Sequence, residues 1–328
     1  MAVCFTMMAA ARSWPAHVPL PAGVAGEQLL DQLRGLAWGA AAILRAYARG
    51  EAPPHGFPPA LTVEEGGEGP VSAADLAVNQ WLLEGLGQAF PNAPWTLLSE
   101  ETAKEQLASG EPLAGEWLWI LDPLDGTRDF LEGSGEYAVH LALVRNGCSV
   151  LGLILLPEKE ELWIGVLPPA AAEGDGVGSG LAWCERVDGT SQPPRLSGRQ
   201  QAGELVLVAS RNHRDGRLEQ LLAALPIGPS QAMGSVGGKV ATILRGETDV
   251  YISLSGKSAP KDWDMAAPEA VLRAAGGAFS HADGRPLTYN TGHGLQAGCL
   301  IASHGLAHHL LCQQAMEAMA TIDPGFAV

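Results

Sequence analysis

Trp119-Ile-Leu-Asp122-Pro-Leu-Asp125-Gly-Thr-Arg-Asp-Phe130 is the most informative stretch of this 328-residue chain. The apolar run before it, Glu116–Leu121 (EWLWIL), reads as a short buried strand. Pro123 has no N–H to give a central ladder, so the strand is expected to end at Asp122 and the chain to turn through Asp125-Gly126-Thr127. Two carboxylates at a strand's end, with the Leu124 carbonyl between them, can converge on one point. That is the oxygen-only donor set a hard cation such as Mg²⁺ requires. If Gly126 and Thr127 open a helix, their N–H groups are placed for a phosphate oxygen. Taken alone, the motif also fits an ordinary turn, with Asp122 as a cap and Asp125-Gly126 at the surface.

Outward from this stretch, helices and strands interleave without a sustained βαβ repeat. Upstream, Glu27–Arg49 reads as one helix stopped by Gly50 and Pro53-Pro54, after a lead-in from Trp14 to Gly23. A short strand is expected at Ala60–Val63. Ser72 and Asp75 form a capping-box start to a helix with its apolar stripe on Leu76, Leu82, Leu83 and Leu86. Downstream, Tyr137–Val144 and Cys148–Leu155 flank Asn146-Gly147, a strong hairpin signal, and Glu161–Leu167 extends the meander. Pro168–Gly203 is dense in Gly, Pro and Ser and reads as the passage between domains. A strand at Leu205–Ala209 follows, then helices near Leu218–Ala224 and Val236–Arg245 and a strand at Val250–Ser253. A helix at Met265–Ala275, a strand near Cys299–Ala302 and a closing helix from Leu306 to about Met319 complete the chain. This order predicts a layered α/β or α+β fold. The expected organisation is a flexible segment over 1–26, an N-terminal α+β metal-binding domain over 27–200, and a C-terminal α/β domain over 201–328 that completes the site.

Lys and Arg total 20 against 36 Asp and Glu, a formal net charge of −16. That balance excludes a basic groove for a nucleic-acid polymer, but not a small phosphorylated substrate if a cation supplies the missing charge. The five cysteines (Cys4, Cys148, Cys184, Cys299, Cys312) are scattered and odd in number, which predicts free thiols in a reducing cytoplasm. No apolar run reaches membrane-spanning length, so no membrane partner is expected. Met1–Ala11 lacks a basic n-region, which predicts no cleaved signal peptide, and Met7 or Met8 are alternative starts.

Two further acidic pieces stand near apolar runs: Leu98-Ser-Glu100-Glu101, approached from Trp95, and Trp263-Asp264-Met-Ala-Ala, which opens a helix. Each alone fits a helix cap. Taken together, VSAAD (71–75), LSEE (98–101), DPLDGTRDF (122–130) and WDMAAPEAVLRAAGG (263–277) strongly resemble the inositol monophosphatase superfamily of Mg²⁺-dependent phosphatases, over roughly Gln28 to Met319. The resemblance implies alternating α-β-α-β-α layers. It also implies that Glu100, Asp122, the Leu124 carbonyl, Asp125 and Asp264 hold two or three Mg²⁺ ions, with Asp75 positioning another metal or its water. Thr127, with Glu101 or Glu100 beside it, matches the group that orients the attacking water, and the Gly126 and Thr127 amides match the phosphate site. The implied chemistry is hydrolysis by metal-activated water with no covalent phosphoenzyme.

Three segments bear on the substrate. Ser210-Arg211-Asn-His213 resembles the SR-x-H segment of adenosine 3′,5′-bisphosphate phosphatases within that superfamily. Gly234-Ser235-Val-Gly-Gly-Lys239 resembles their GS…K element, with one more residue between Ser and Lys, and Trp263-Asp-Met-Ala-Ala-Pro-Glu269 resembles their WDxxAPE. The resemblance therefore implies that Arg211, His213, Ser235 and Lys239 bind substrate and that the 3′-phosphate of adenosine 3′,5′-bisphosphate is removed to give AMP. The alternative on the same fold is an inositol or sugar phosphatase acting, for example, on fructose 1,6-bisphosphate. The plainer readings are a solvated loop for Arg211 and His213, a helix-surface lysine for Lys239, and an exposed or supporting role for Glu269. His281, His304, His308 and His309 read as surface or capping residues.

The family's usual flap lysine is absent. Val63-Glu64-Glu65 and Gly66-Gly67-Glu68-Gly69 stand there instead, so an acidic mobile lid is expected, with Glu64 or Glu65 reaching the metals on closure. Two other classes compete with this reading. Phosphatases with a nucleophilic aspartate carry DxDGT, but DxxDGT breaks the same-side alternation of two strand aspartates. A non-enzymatic acidic metal-binding protein would have no need of Thr127. The expected assembly is a monomer or homodimer.

Overall fold

The computed structural model describes residues 13–65, 70–168, 180–212, 215–255 and 259–326. Along β4 (Trp117–Asp125), Trp117, Trp119 and Leu121 alternate with Leu118 and Ile120, and both sets are buried. A strand that is apolar on both faces needs a covering layer on each side. β4 sits inside a seven-stranded sheet ordered β3-β4-β5-β6-β7-β8-β9. Its partners are β3 (Trp95–Ser99), β5 (Ala138–Arg145), β6 (Cys148–Leu156), β7 (Glu161–Val166), β8 (Leu181–Arg186) and β9 (Ser191–Gln192).

On one face, α1 (Gly26–Ala48) and α2 (Ala73–Ala89) bring Leu30, Leu33, Val78 and Leu82 against Trp119, Leu121 and Leu141. On the other face, α6 (Val236–Leu244) and α7 (Asp262–Ala274) cover Leu118, Ile120, Ala142 and Ile154. The same two helices also pack on Tyr251, Phe279 and Leu300 of a second sheet. That sheet has five strands, ordered β11 (Ser230–Met233), β10 (Leu207–Ser210), β12 (Val250–Leu254), β14 (Cys299–Ser303) and β13 (Ala278–His281). Its far side holds Leu207, Ile252 and Ile301 against α5 (Gly216–Ala224) and α8 (His308–Ile322). The result is the α-β-α-β-α layering that the sequence resemblance implies.

α7 lies unusually close to the first sheet. A Cβ on Gly152 would fall 2.5 Å from the Ala267 carbonyl oxygen, and one on Gly165 would fall 2.5 Å from the Val271 Cα. Glycines on the sheet and alanines on the helix remove the side chains that would otherwise hold the two layers apart. The hairpin between β5 and β6 turns through Asn146 (φ 47°) and Gly147 (φ 82°), the paired positive φ values of a type I′ turn.

Some elements differ from the sequence reading. β4 does not end at Asp122 but continues to Asp125. The stretch Pro168–Gly203 contains strands β8 and β9, and β11 and β13 add to the second sheet. The short strand near Ala60 is β1 (Val63–Glu65), paired antiparallel with β2 (Pro70–Ser72). The Glu65 side chain and residues 66–69, on which much of the lid expectation rests, lie outside the described residues. Glu64 is exposed on β1. The lead-in from Trp14 lies against α1, with Val18 buried and the Trp14 N–H donating to Glu27 at 3.0 Å. Met1–Arg12 lie outside the described residues.

His281 and His304 are buried rather than superficial. The His304 ring contacts the Arg199 carbonyl, and His308 bridges Ser280 and Ser303 at the start of α8. Cys148, Cys184, Cys299 and Cys312 are free thiols.

Candidate metal centre and active site

The end of β4 is irregular in a way that sets the site. Asp122 pairs with His140 and Asp125 with Ala138, so three steps on β4 match two on β5. In a regular strand, residues three apart point to opposite faces; a bulge of one extra residue restores the same face. Pro123, which has no N–H to offer, sits within this bulge, and Asp122 Oδ1 accepts the Leu124 N–H at 3.0 Å. Gly126 then takes a left-handed φ of 92°, which L-residues with a Cβ rarely adopt, and α4 (Thr127–Leu131) begins.

Asp264 arrives on the first turn of α7, where its Oδ2 accepts the Lys261 N–H at 2.7 Å. Asp122, Asp125 and Asp264 each present an oxygen within 4.8 Å of the others. Glu100 joins them through register: β3 runs parallel to β4 with Ser99 opposite Leu121. The first residue of α3 (Glu100–Gln106) therefore lands beside Asp122, close enough for the two carboxyls to perturb each other.

Asp75 has two roles. Its Oδ2 accepts the Ser72 N–H at 2.8 Å, closing the capping box of α2, and its Oδ1 accepts the Thr127 hydroxyl at 3.0 Å. Thr127 Oγ1 also lies 3.1 Å from the Leu124 carbonyl. Its one proton is directed inward, which leaves oxygen lone pairs for an incoming donor such as water.

The electrostatics follow from burial and crowding. Burial, with Glu100 next, pushes Asp122 well above the carboxylate range, and burial with Asp264 and Glu101 does the same to Glu100. Burial and Asp125 raise Asp264 to about 7, and burial and Asp75 raise Glu101 to about 7. Burial also raises Asp75, although Ser72 and Thr127 oppose it by hydrogen bonding. Carboxylates held this close repel each other unless a cation lies among them. An all-oxygen donor set of this kind fits Mg²⁺.

The side chains expected at the substrate have protein partners. Ser235 caps α6, accepting the Gly238 N–H at 3.0 Å, and donates to Asp125 Oδ2 at 2.6 Å. Lys239 is buried, with its ammonium on the Gly234 carbonyl and 5.2 Å from the Tyr251 ring. Burial lowers it to about 8, against the pull of Asp125 and Asp129. Arg211 pairs with Asp129 and, at 2.7 Å, with Glu136. His213 lies outside the described residues. Glu269 is buried and paired with Arg273.

Three residues near the site were not singled out from the sequence. His140 is fully buried, with Nε2 3.3 Å from Asp125 Oδ2, and its burial lowers its pKa and keeps the ring neutral. Its signal was a lone histidine in the apolar strand AVHLAL. Asp129 and Glu136, the partners of Arg211, had no signal beyond their place after DGT. A cavity of about 830 Å³ opens beside Phe130, Glu136 and Met233 rather than over the carboxylates.

Comparison with known proteins bears on this geometry. The sequence profile of the inositol monophosphatase family matches residues 26–320. The chain belongs to the inositol monophosphatase family. Within it, the 3′(2′),5′-bisphosphate nucleotidase CysQ of Escherichia coli K12 is 31% identical over 264 residues, 80% of this chain and 94% of that protein. The 3′-phosphoadenosine 5′-phosphate phosphatase of Mycobacterium bovis is 32% identical over 219 residues, 66% of this chain and 72% of that protein. Among solved structures, Thermotoga maritima IMPase superposes with a TM-score of 0.65 at 20% identity, covering 90% of this chain and 99% of that one. The family's phosphatases are in general Mg²⁺-dependent, in keeping with the carboxylate cluster. No helix among the described residues is long and apolar enough to cross a membrane.

Proposed function

We propose that this family phosphatase is a Mg²⁺-dependent bisphosphate nucleotidase that removes the 3′-phosphate of adenosine 3′,5′-bisphosphate, giving AMP and phosphate. The observation that carries the reading is the likeness to the E. coli nucleotidase, which extends over 80% of the chain. Asp122, Asp125, Asp264 and Glu100 would hold the metal, with the Leu124 carbonyl and Asp75 at its edge. Bound there, Mg²⁺ supplies Lewis acidity and the positive charge that the transferring phosphoryl group needs.

The remaining steps belong to the chain's own groups. Thr127, its proton engaged by Asp75 and Leu124, accepts a hydrogen bond from water and orients it for attack. Glu101, raised by burial and by Asp75, would serve as the base that takes a proton from that water. The Gly126 and Thr127 N–H groups, at the first turn of α4, would receive the phosphate oxygens. The Ser235 hydroxyl and the Gly237 N–H, both donating to Asp125 Oδ2, keep that carboxylate oriented.

The test is phosphate release with Mg²⁺ from adenosine 3′,5′-bisphosphate, its 5′-sulfated analogue, inositol 1-phosphate and fructose 1,6-bisphosphate. Selective turnover of the nucleotides is expected. Preference for inositol 1-phosphate or the sugar bisphosphate would overturn the substrate assignment and leave the family chemistry intact. Trapping a phosphorylated aspartate would overturn the direct attack by water.

A further inference from the structure

Arg211 resembles a substrate contact in sequence, yet its guanidinium is engaged within the protein. One amino group pairs with Asp129 Oδ1 and the other with Glu136 Oε2 at 2.7 Å. Asp129 is 1% exposed and also accepts the Asn212 amide at 3.1 Å. One guanidinium between two carboxylates has no spare positive charge to offer a phosphate. The same two acids hold Gly234: Glu136 Oε2 accepts its N–H at 3.1 Å, and a Cβ on it would fall 2.2 Å from Asp129 Oδ2. Lys239 holds the Gly234 carbonyl from the other side. The next residue is Ser235, whose hydroxyl donates to Asp125 Oδ2 at 2.6 Å, and the Gly237 N–H donates to the same oxygen at 3.1 Å.

We propose that Arg211 is a positioning residue for the metal centre, acting through Asp129, Glu136 and Gly234 on the Asp125 carboxylate, and is not a receptor for substrate phosphate. This rests on the phosphatase reading above. Arg211 ties the end of β10 to α4 and to the residues leading into β5, so the peptide entering α6 has one place to lie. Without Arg211, Asp129 and Glu136 repel each other across Gly234, and the Ser235–Gly237 turn loses its register on Asp125. Groups hydrogen-bonded directly to a metal ligand, as Ser235 and Gly237 are to Asp125, typically change metal affinity or activity by about 10–100-fold, and Arg211 acts through them.

The experiment compares Arg211→Gln, Asp129→Asn and their double variant with the wild-type chain. Mg²⁺ affinity is read by calorimetry without substrate, and kcat and KM are read on adenosine 3′,5′-bisphosphate and on adenosine 3′-monophosphate, which lacks the second phosphate. Each single variant is expected to weaken Mg²⁺ binding by about tenfold, equivalent to about 1.4 kcal/mol. kcat should fall alike on both substrates, KM should stay within about twofold, and the double variant should cost no more than either single one, because the residues act as one unit. Unchanged Mg²⁺ affinity with a raised KM on the bisphosphate alone would make Arg211 a phosphate receptor and overturn the proposal. If Asp129→Asn does not fold, Glu136→Gln takes its place in the cycle. A wild-type chain that hydrolyses neither nucleotide would overturn only the functional reading, because the calorimetric comparison still decides the role of Arg211.

Discussion

Three contacts converge on one oxygen of Asp125: the Ser235 hydroxyl, the Gly237 N–H and, at 3.3 Å, the His140 ring. Ser235 also caps α6, so one hydroxyl links the start of a helix to a metal-ligand candidate. Replacing Ser235 by alanine is expected to cost about 1 kcal/mol in urea unfolding through the lost cap. It should also weaken Mg²⁺ binding by about tenfold through the freed carboxylate. Ser235→Thr, which keeps the hydroxyl, should keep both properties. An alanine variant with lower stability and unchanged calorimetric Mg²⁺ affinity would confine Ser235 to capping. At this scale the sequence was legible where chemistry is local: Asp122, Asp125, Asp75 and Thr127 lie in short motifs, and the structure gathers them. It was opaque where the partner is distant in the chain. Nothing near Arg211 marks Asp129 or Glu136 as the acids it meets, and His140 becomes relevant only through the pairing of β5 with β4.

The bulge in β4 and the seating of α7 are the two element-level features that assemble the acids. The sequence reading let Asp122 and Asp125 converge through a turn after Asp122; the strand instead continues, and the pairing with β5 reveals the extra residue that keeps the two on one face. α7 brings Asp264 because Gly152 and Gly165 let the helix settle on the sheet. Gly152→Ala would set a methyl 2.5 Å from the Ala267 carbonyl and 2.7 Å from the Ala270 methyl. The expected cost is about 1–3 kcal/mol in chemical denaturation, with α7 lifted and Mg²⁺ affinity reduced alongside. A variant as stable as the wild type would show that the helix can shift freely, and that the alanine-rich face does not fix Asp264. The strands missed from sequence share a cause. β11 is a mostly exposed edge with no apolar alternation, and β8 owes its order to pairing with β7 inside a Gly-rich stretch. The strongly apolar elements, α1 and β4 to β7, were readable because burial on this scale leaves a pattern in the chain.

At the scale of the whole molecule, the carboxylates come from separate layers. Asp122 and Asp125 ride on the first sheet, Glu100 on a helix at its edge, and Asp264 on the helix layer between the sheets. In a chain of net charge −16, gathering them without a cation opposes folding, and pH shows by how much. Unfolded carboxylates titrate near 4, whereas Asp264 and Glu101 in the folded chain lie near 7 and Asp122 and Glu100 are also raised. Between those values the native state binds more protons than the unfolded one, so stability falls as pH rises from about 4 to about 7. Buried histidines act in the opposite sense: burial lowers His308 to about 4, so it favours unfolding as pH drops below about 6.5. His308 lies away from the carboxylates, so its contribution cancels when melting curves with and without metal are subtracted. Mg²⁺ bound among the acids favours their ionised forms and removes the first trend. Melting temperatures measured from about pH 5 to about pH 8 should therefore converge with and without Mg²⁺ at the acid end and diverge toward neutrality. At about a hundredfold excess of Mg²⁺ over its dissociation constant, the stabilisation should approach about 2.7 kcal/mol near pH 7, and a chelator should reverse it. Parallel curves, equally separated at pH 5 and pH 8, would mean that the cation binds elsewhere than among these four acids.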